Sequence, residues 1–184
     1  MMKKTSFILL FFFILSSLAT EPIEFELKDF KGKAHRLKDY RGKLVVVDVW
    51  AVWCVTCRKV LPVLNELQKT FSSEDLAVIG VNVDDDSPEY VEKFSKTAGL
   101  EYLILLDRKG TVPQKYKING VPTLFVFDER GQVLLKKEGF SGEEEKEELF
   151  NLIRRLIKGR EDGEEKKLER ERKKYLESLK KRES

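Results

Sequence analysis

The sequence predicts an α/β fold: a mixed central sheet flanked by helices, followed by a charged C-terminal tail. Three observations carry this. Two near-continuous runs of β-type residues, LVVVDVW (Leu44–Trp50) and LAVIGVNVD (Leu76–Asp84), are each followed by a helix-type pattern, and strands alternating with helices argue for an α/β sheet. A later pair of runs, TLFVFD and QVLLKKEG around Glu129-Arg130-Gly131, reads as a hairpin that adds antiparallel strands to that sheet. After Lys158 the composition turns almost wholly to charge.

The elements follow in chain order. Glu21 to Arg41 reads as a small hairpin, IEFELKDF and AHRLKDY joined by a Lys-Gly turn. Leu44–Trp50 fits a strand buried on both faces. Val55 to Phe71 reads as a helix with Val60, Leu61, Leu64 and Leu67 on its apolar face, and Pro62 inside it should kink it or displace a hydrogen bond. Leu76–Asp84 is a second buried strand, Pro88 to Ala98 a helix, and Tyr102 to Leu106 a third strand. A short helix around Val112 to Tyr116 precedes the closing hairpin. Glu143 to Ile157 is an amphipathic helix with Leu149, Leu152, Ile153 and Leu156 on one face. The domain boundaries are therefore 1–19 for an N-terminal targeting segment, 21–158 for the folded domain and 159–184 for a tail that is helical or disordered. Leu168, Tyr175, Leu176 and Leu179 are its only apolar stripe, so a solvated tail is favoured over a docking helix.

With 184 residues the chain can bury a core without disulfide staples. Its net charge is only +3 although 36% of residues are charged; the mixed signs provide no basic field for nucleic acid. MMKK followed by FILLFFFILSSL (Phe7–Leu18), with Ser17 and Ala19 before Thr20, has the order of a secretory signal. The apolar run is shorter than the ~20 residues that span a bilayer. A cleaved signal peptide is the first reading and an uncleaved anchor the second. Either places the protein outside the cytosol, periplasmic or on the extracytoplasmic face of the membrane, where disulfide chemistry operates.

Both cysteines of the chain lie in WAVWCVTCRKV, at Cys54 and Cys57. A structural zinc site needs about four ligands, and the chain adds only His35 to the pair. A copper relay wants a His or Met supply that is nearly lacking. A structural disulfide across so small a loop gains little. A redox pair explains more: Cys54 at the start of a helix has its thiolate favoured by unpaired N–H groups and the helix dipole. Cys57, one turn on, can resolve a mixed disulfide.

VVVDVWAVWCVTCRKVLP resembles the active-site region of the thioredoxin superfamily. The wider match, from about Phe25 to Ile157, resembles the TlpA/ResA-like exported thiol–disulfide oxidoreductases. It includes FELKDFKGKAHRLKDYRGKLVVVDVWA as the N-terminal hairpin and first core strand. It also includes VIGVNVDDDSPEYVEKF as the inserted strand–helix segment, and NGVPTLFVFDERGQV as the cis-proline loop and hairpin. The resemblance implies a thioredoxin-like fold and an enzyme that needs no cofactor and no metal. Its partners would be protein clients with dithiols or disulfides, apocytochrome c among them, and a membrane electron donor. The dipeptide between the cysteines, Val55-Thr56, departs from the Gly-Pro of thioredoxins and is similar to that of DsbD-type reductant conduits, which leaves potential and partner open. The alternatives are a binding or scaffold module acting through the tail, or a metal carrier using the dithiol. A thiol peroxidase would need a Pro-x-x-x-Thr-x-x-Cys environment, which the sequence lacks.

The resemblance also assigns Asp48. A carboxylate within LVVVDVW is costly to bury ionised, and burial raises its pKa toward neutrality. It would accept the Cys57 proton through a water. The competing reading is an Asp at a frayed strand end. Asp84, Asp85 and Asp86 stand where some relatives carry an active-site acid, and at least two of them read as a solvated turn. Val121, Pro122 and Thr123 would form the substrate loop, with a cis bond before Pro122 and the Val121 backbone free to pair with an extended client. Trp53 is expected to shield one side of Cys54, Trp50 to be core, and His35 to lie on the surface.

Overall fold

The computed structural model describes residues 24–180, with side chains as far as 163. The expected N-terminal targeting segment, 1–19, and the apolar stripe expected in the tail lie outside these described parts. The elements are β1 (Glu26–Lys28), β2 (Ala34–Arg36), a 3-10 turn (Leu37–Tyr40), β3 (Leu44–Trp50), α1 (Cys57–Thr70) and β4 (Leu76–Asn82). They continue with α2 (Pro88–Thr97), β5 (Leu103–Leu106), α3 (Thr111–Tyr116), β6 (Thr123–Phe127), β7 (Val133–Glu138) and α4 (Glu143–Lys180).

One seven-stranded sheet has the order β2-β1-β5-β4-β3-β6-β7. The three central strands β5, β4 and β3 are parallel, and antiparallel strands extend the sheet on both sides. All seven residues of β3 are buried, which is why the run shows no polar alternation. Alternation of side chains along the strand splits the core in two. Leu44, Val46 and Trp50 face the layer of α1 and α4, with Leu61, Leu64, Phe150 and Ile153. Val45, Val47 and Val49 face the N-terminal hairpin and α3, with Leu27, Leu37 and Val112.

Local chemistry sets the element ends. Ser87 caps α2, its hydroxyl accepting the Tyr90 N–H, with Pro88 in the first turn. In the first hairpin Gly32 takes φ +78° at the Lys-Gly turn, a conformation that glycine adopts without penalty, and the Asp29 carboxylate accepts the Lys31 and Lys33 N–H groups. His35 is not on the surface. Its ring is held between the Tyr40 hydroxyl at 3.0 Å and the Asp29 carboxylate at 3.1 Å, so it braces the hairpin.

Two helices differ from the sequence expectation. α1 starts at Cys57 rather than Val55 and runs on through Pro62, the sixth helical residue, which leaves the Arg58 carbonyl without its i−4 backbone donor. α4 does not end near Lys158 but continues to Lys180 as one helix of 38 residues. Gly159 and Gly163 each cost about 1 kcal/mol relative to alanine in a helix interior, and the surrounding Glu, Lys and Arg are strong helix formers. Arg160 pairs with Asp75 in the turn before β4, so contact with the domain extends past Lys158.

Candidate active site

The two cysteines lie where β3 passes into α1. The chain turns at Ala51–Cys54, the Cys54 N–H donating to the Ala51 carbonyl at 3.2 Å, and the helix begins three residues later. Cys54 and Cys57 form a disulfide with Cα atoms 5.2 Å apart. The Cys57 N–H, the first of the helix, donates to Cys54 Sγ at 3.0 Å. Helix N-termini present unpaired N–H groups of this kind to an anion. The first turn of α1 has Arg58 and Lys59 and no acid, which adds positive charge beside the sulfur. Cys54 keeps 5% of its surface exposed and Cys57 none, so an incoming reactant meets Cys54 first.

The Val121 carbonyl oxygen is 3.5 Å from Cys54 Sγ, and in the dithiol form the thiol can donate to it. The Val121–Pro122 bond is cis, as the resemblance implies. Thr123 is fully buried at the start of β6, and its hydroxyl donates to the Gly120 carbonyl at 2.6 Å; its side chain shapes the loop and does not face solvent. Trp53, next to Cys54 in the chain, has two-thirds of its surface exposed. With Val55, equally exposed, it forms an apolar rim on either side of Cys54. Trp50 is core, its ring 5.8 Å from that of Phe94.

Asp48 sits mid-strand in β3, between Gly80 of β4 and Leu124 of β6. It is fully buried, which excludes a frayed strand end, and neither carboxylate oxygen has a partner. Burial pushes its carboxyl up to about 8, because the charged form loses its water. By strand alternation it faces the same side as Val46 and Trp50, the side on which Cys57 and α1 pack.

The acidic run after β4 divides between core and solvent: Asp84 is buried, whereas Asp85 and Asp86 are exposed. The Asp84 carboxylate accepts the Val52 N–H at 2.7 Å and the Asn82 side-chain amide at 2.5 Å. At the following peptide group, Arg58 donates to the Val52 carbonyl at 3.2 Å while lying over the Phe94 ring. Asp84 and Arg58 thus hold the backbone two residues before Cys54 from both sides. Arg58 and Asn82 have no distinguishing signal in the sequence; Asp84 has only its place in the acidic run.

Comparison with known proteins gives one consistent result. The sequence pattern of the AhpC/TSA family matches residues 19–136. The thiol-disulfide oxidoreductase ResA of Geobacillus kaustophilus is 36% identical over 126 residues, 68% of this chain and 70% of that protein. The thioredoxin-like protein YneN of Bacillus subtilis is 34% identical over 131 residues, 70% of this chain and 76% of that one. Among solved structures, a Chlorobium tepidum protein assigned as thiol:disulfide interchange protein DsbE superposes with a TM-score of 0.69 at 32% identity, over 74% of this chain and 94% of that chain. The exposed lipoprotein thioredoxin Etrx1 of Streptococcus pneumoniae superposes with a TM-score of 0.63 at 28% identity, over 73% and 100%.

Proposed function

Because this chain belongs to the AhpC/TSA family and is a thiol–disulfide oxidoreductase of thioredoxin-like fold, we propose that it is exported and reduces disulfides in client proteins, with Cys54 as the attacking thiol. The observation that carries this is the asymmetry of the pair. Cys54 Sγ lies at the rim and accepts the first N–H of α1, while Cys57 lies fully buried on the face that Asp48 shares. Apocytochrome c is the client class that the resemblance to TlpA/ResA-like proteins implies.

The Cys54 thiolate attacks one sulfur of the client disulfide. That S–S bond breaks, a Cys54–client mixed disulfide forms, and the displaced client thiolate takes a proton from water. Cys57 then gives its proton to Asp48 and attacks Cys54 Sγ, which releases the second client thiolate. The client gains two electrons and the protein is left as the Cys54–Cys57 disulfide. A membrane electron donor restores the dithiol by the reverse exchange. Trp53, Val55 and the Val121–Thr123 loop frame the docking surface, the first two by apolar contact and the loop by backbone pairing with an extended client segment. The N-terminal segment, cleaved or retained as an anchor, sets whether the enzyme is free or held at the extracytoplasmic face.

Alkylation of the reduced mature protein near neutral pH tests the assignment. Cys54 should be labelled much faster than Cys57, and Cys57→Ser should accumulate mixed disulfides with clients. Equal rates, or faster labelling of Cys57, would contradict these roles. The reduction potential fixes the direction, since about 30 mV is a tenfold shift in a two-electron equilibrium.

A further inference from the structure

Among the described residues, four of the six buried side-chain polar atoms without a partner belong to three residues: both oxygens of Asp48, the Trp50 Nε1 and the Tyr102 hydroxyl. They converge. Asp48 pairs with Gly80 in the parallel β3–β4 ladder, so their side-chain positions point the same way about one strand spacing, ~4.8 Å, apart. A Cβ on Gly80 would lie 2.9 Å from Trp50 Nε1 and 3.1 Å from Tyr102 Cε2. The indole N–H and the phenol edge therefore both reach the space over Gly80, directly beside the Asp48 carboxyl. The absence of a side chain at Gly80 is what lets the two rings come this close to the strand. An unpaired buried hydroxyl or indole N–H costs about 1–3 kcal/mol, and three such residues side by side are better explained by one shared function than by three defects.

The donor inventory is complementary. An ionised carboxylate only accepts, an indole N–H only donates, and a phenol does either. Two donors thus face one acceptor, and the phenol can turn to accept when the carboxyl is protonated.

We propose that Trp50 and Tyr102 form a buried donor pair for the Asp48 carboxylate over Gly80, acting through a bridging water, and that Tyr102 is a positioning residue for the proton transfer at Asp48. This rests on the proposed role of Asp48 as the acceptor of the Cys57 proton. The core on the face of the sheet that Asp48 shares is otherwise apolar beside Cys57, with Leu124 of β6 and Val60, Leu61 and Leu64 of α1. Asn82 and Asp84 continue the Gly80 side of β4, but they are bonded to each other and to Val52. Asp48 and Tyr102 also sense each other electrostatically, the Asp48 charge adding to burial in raising the phenol.

Tyr102→Phe keeps the ring and deletes the donor. In the full mature protein, reduced and carrying 13C-labelled aspartate, the Asp48 carboxyl signal, identified by its loss in Asp48→Asn, is titrated by NMR. Removing a donor from the ionised form should raise the midpoint by about one pH unit, and Trp50→Phe should move it in the same direction. The acid limb of the reductase profile should move up equally, about tenfold in rate below the limb. In an Asp48→Asn background, Tyr102→Phe should leave the rate unchanged. An unmoved or lowered midpoint in a folded Tyr102→Phe protein overturns the donor pair whatever the rate does. A raised midpoint with an unchanged rate profile upholds the pair as a carboxylate partner and overturns its part in proton transfer, and with it the role of Asp48.

Discussion

Replacing Asp48 by Asn should stabilise the protein in a way that grows with pH. The carboxyl is fully buried and unpartnered, and burial raises it from 3.8 to about 8. Between those values the folded state holds a proton that the unfolded chain has released, so the wild type loses stability as pH rises through this window and levels off above about 8. The slope is about 1.4 kcal/mol per pH unit. From 3.8 to neutrality that amounts to about 4 kcal/mol, a large share of the 5–15 kcal/mol typical of a domain. Asn has nearly the same volume and cannot titrate, so any constant difference from its amide drops out of the slope. The assay is urea unfolding of the disulfide form of both proteins at intervals from pH 4 to pH 9. The stability gap, Asn over Asp, should open steadily from pH 4 and flatten near pH 8. A gap that stays flat across the range would refute the reasoning, because it would mean that Asp48 titrates alike in the folded and unfolded chains. Activity should move the other way: if Asp48 takes the Cys57 proton, Asp48→Asn turns over more slowly and loses the acid limb that Asp48 imposes.

Three further outcomes follow from named contacts. Asp84→Ala leaves the Val52 N–H and the Asn82 amide without their acceptor; it should cost about 1–3 kcal/mol in urea unfolding and slow disulfide reduction, whereas Asp85→Ala, at an exposed site, should do neither. Gly80→Ala puts a Cβ 2.8 Å from Ile104 Cδ1 and 2.9 Å from Trp50 Nε1, and should lower stability by about 1–3 kcal/mol, read from the same curves. We propose that the charged segment beyond the domain is dispensable for chemistry: truncation after Gly163 should leave melting temperature and small-disulfide reduction unchanged. Truncation after Lys158 also removes the Arg160–Asp75 pair and should lower the melting temperature by a few degrees, given about 1 kcal/mol for a partly exposed pair.

The parts of this protein that are legible in its sequence are those whose physics is local. β3 and β4 stand out because a strand buried on both faces needs an unbroken apolar run. The hairpin of β6 and β7 shows its turn residues, and the apolar face of α1 is spaced as helical packing requires. The Cys54–Cys57 spacing reads as a redox pair for the same reason, since one helical turn brings the sulfurs together. The end of α4 is not legible, because loss of apolar residues signals the end of packing and not the end of a helix. The place of His35 is not legible either, because its partners, Asp29 and Tyr40, meet it only once the hairpin and the following turn have closed.

By itself, then, the sequence determined the strand and helix order, the dithiol and an acid placed within a buried strand. Tertiary structure alone decided what surrounds each of them. The β3–β4 register sets Gly80 opposite Asp48, and a slip of one residue would turn Asp48 to the other face of the sheet. Packing of β5 beside β4 brings Tyr102 over the same glycine. The turn after β4 carries Asp84 back to Val52, 32 residues earlier. Hydrophobic runs and turn signals act between near neighbours in the chain. Whether a buried carboxylate finds a donor depends on which distant segments the register sets side by side, and no local pattern encodes that.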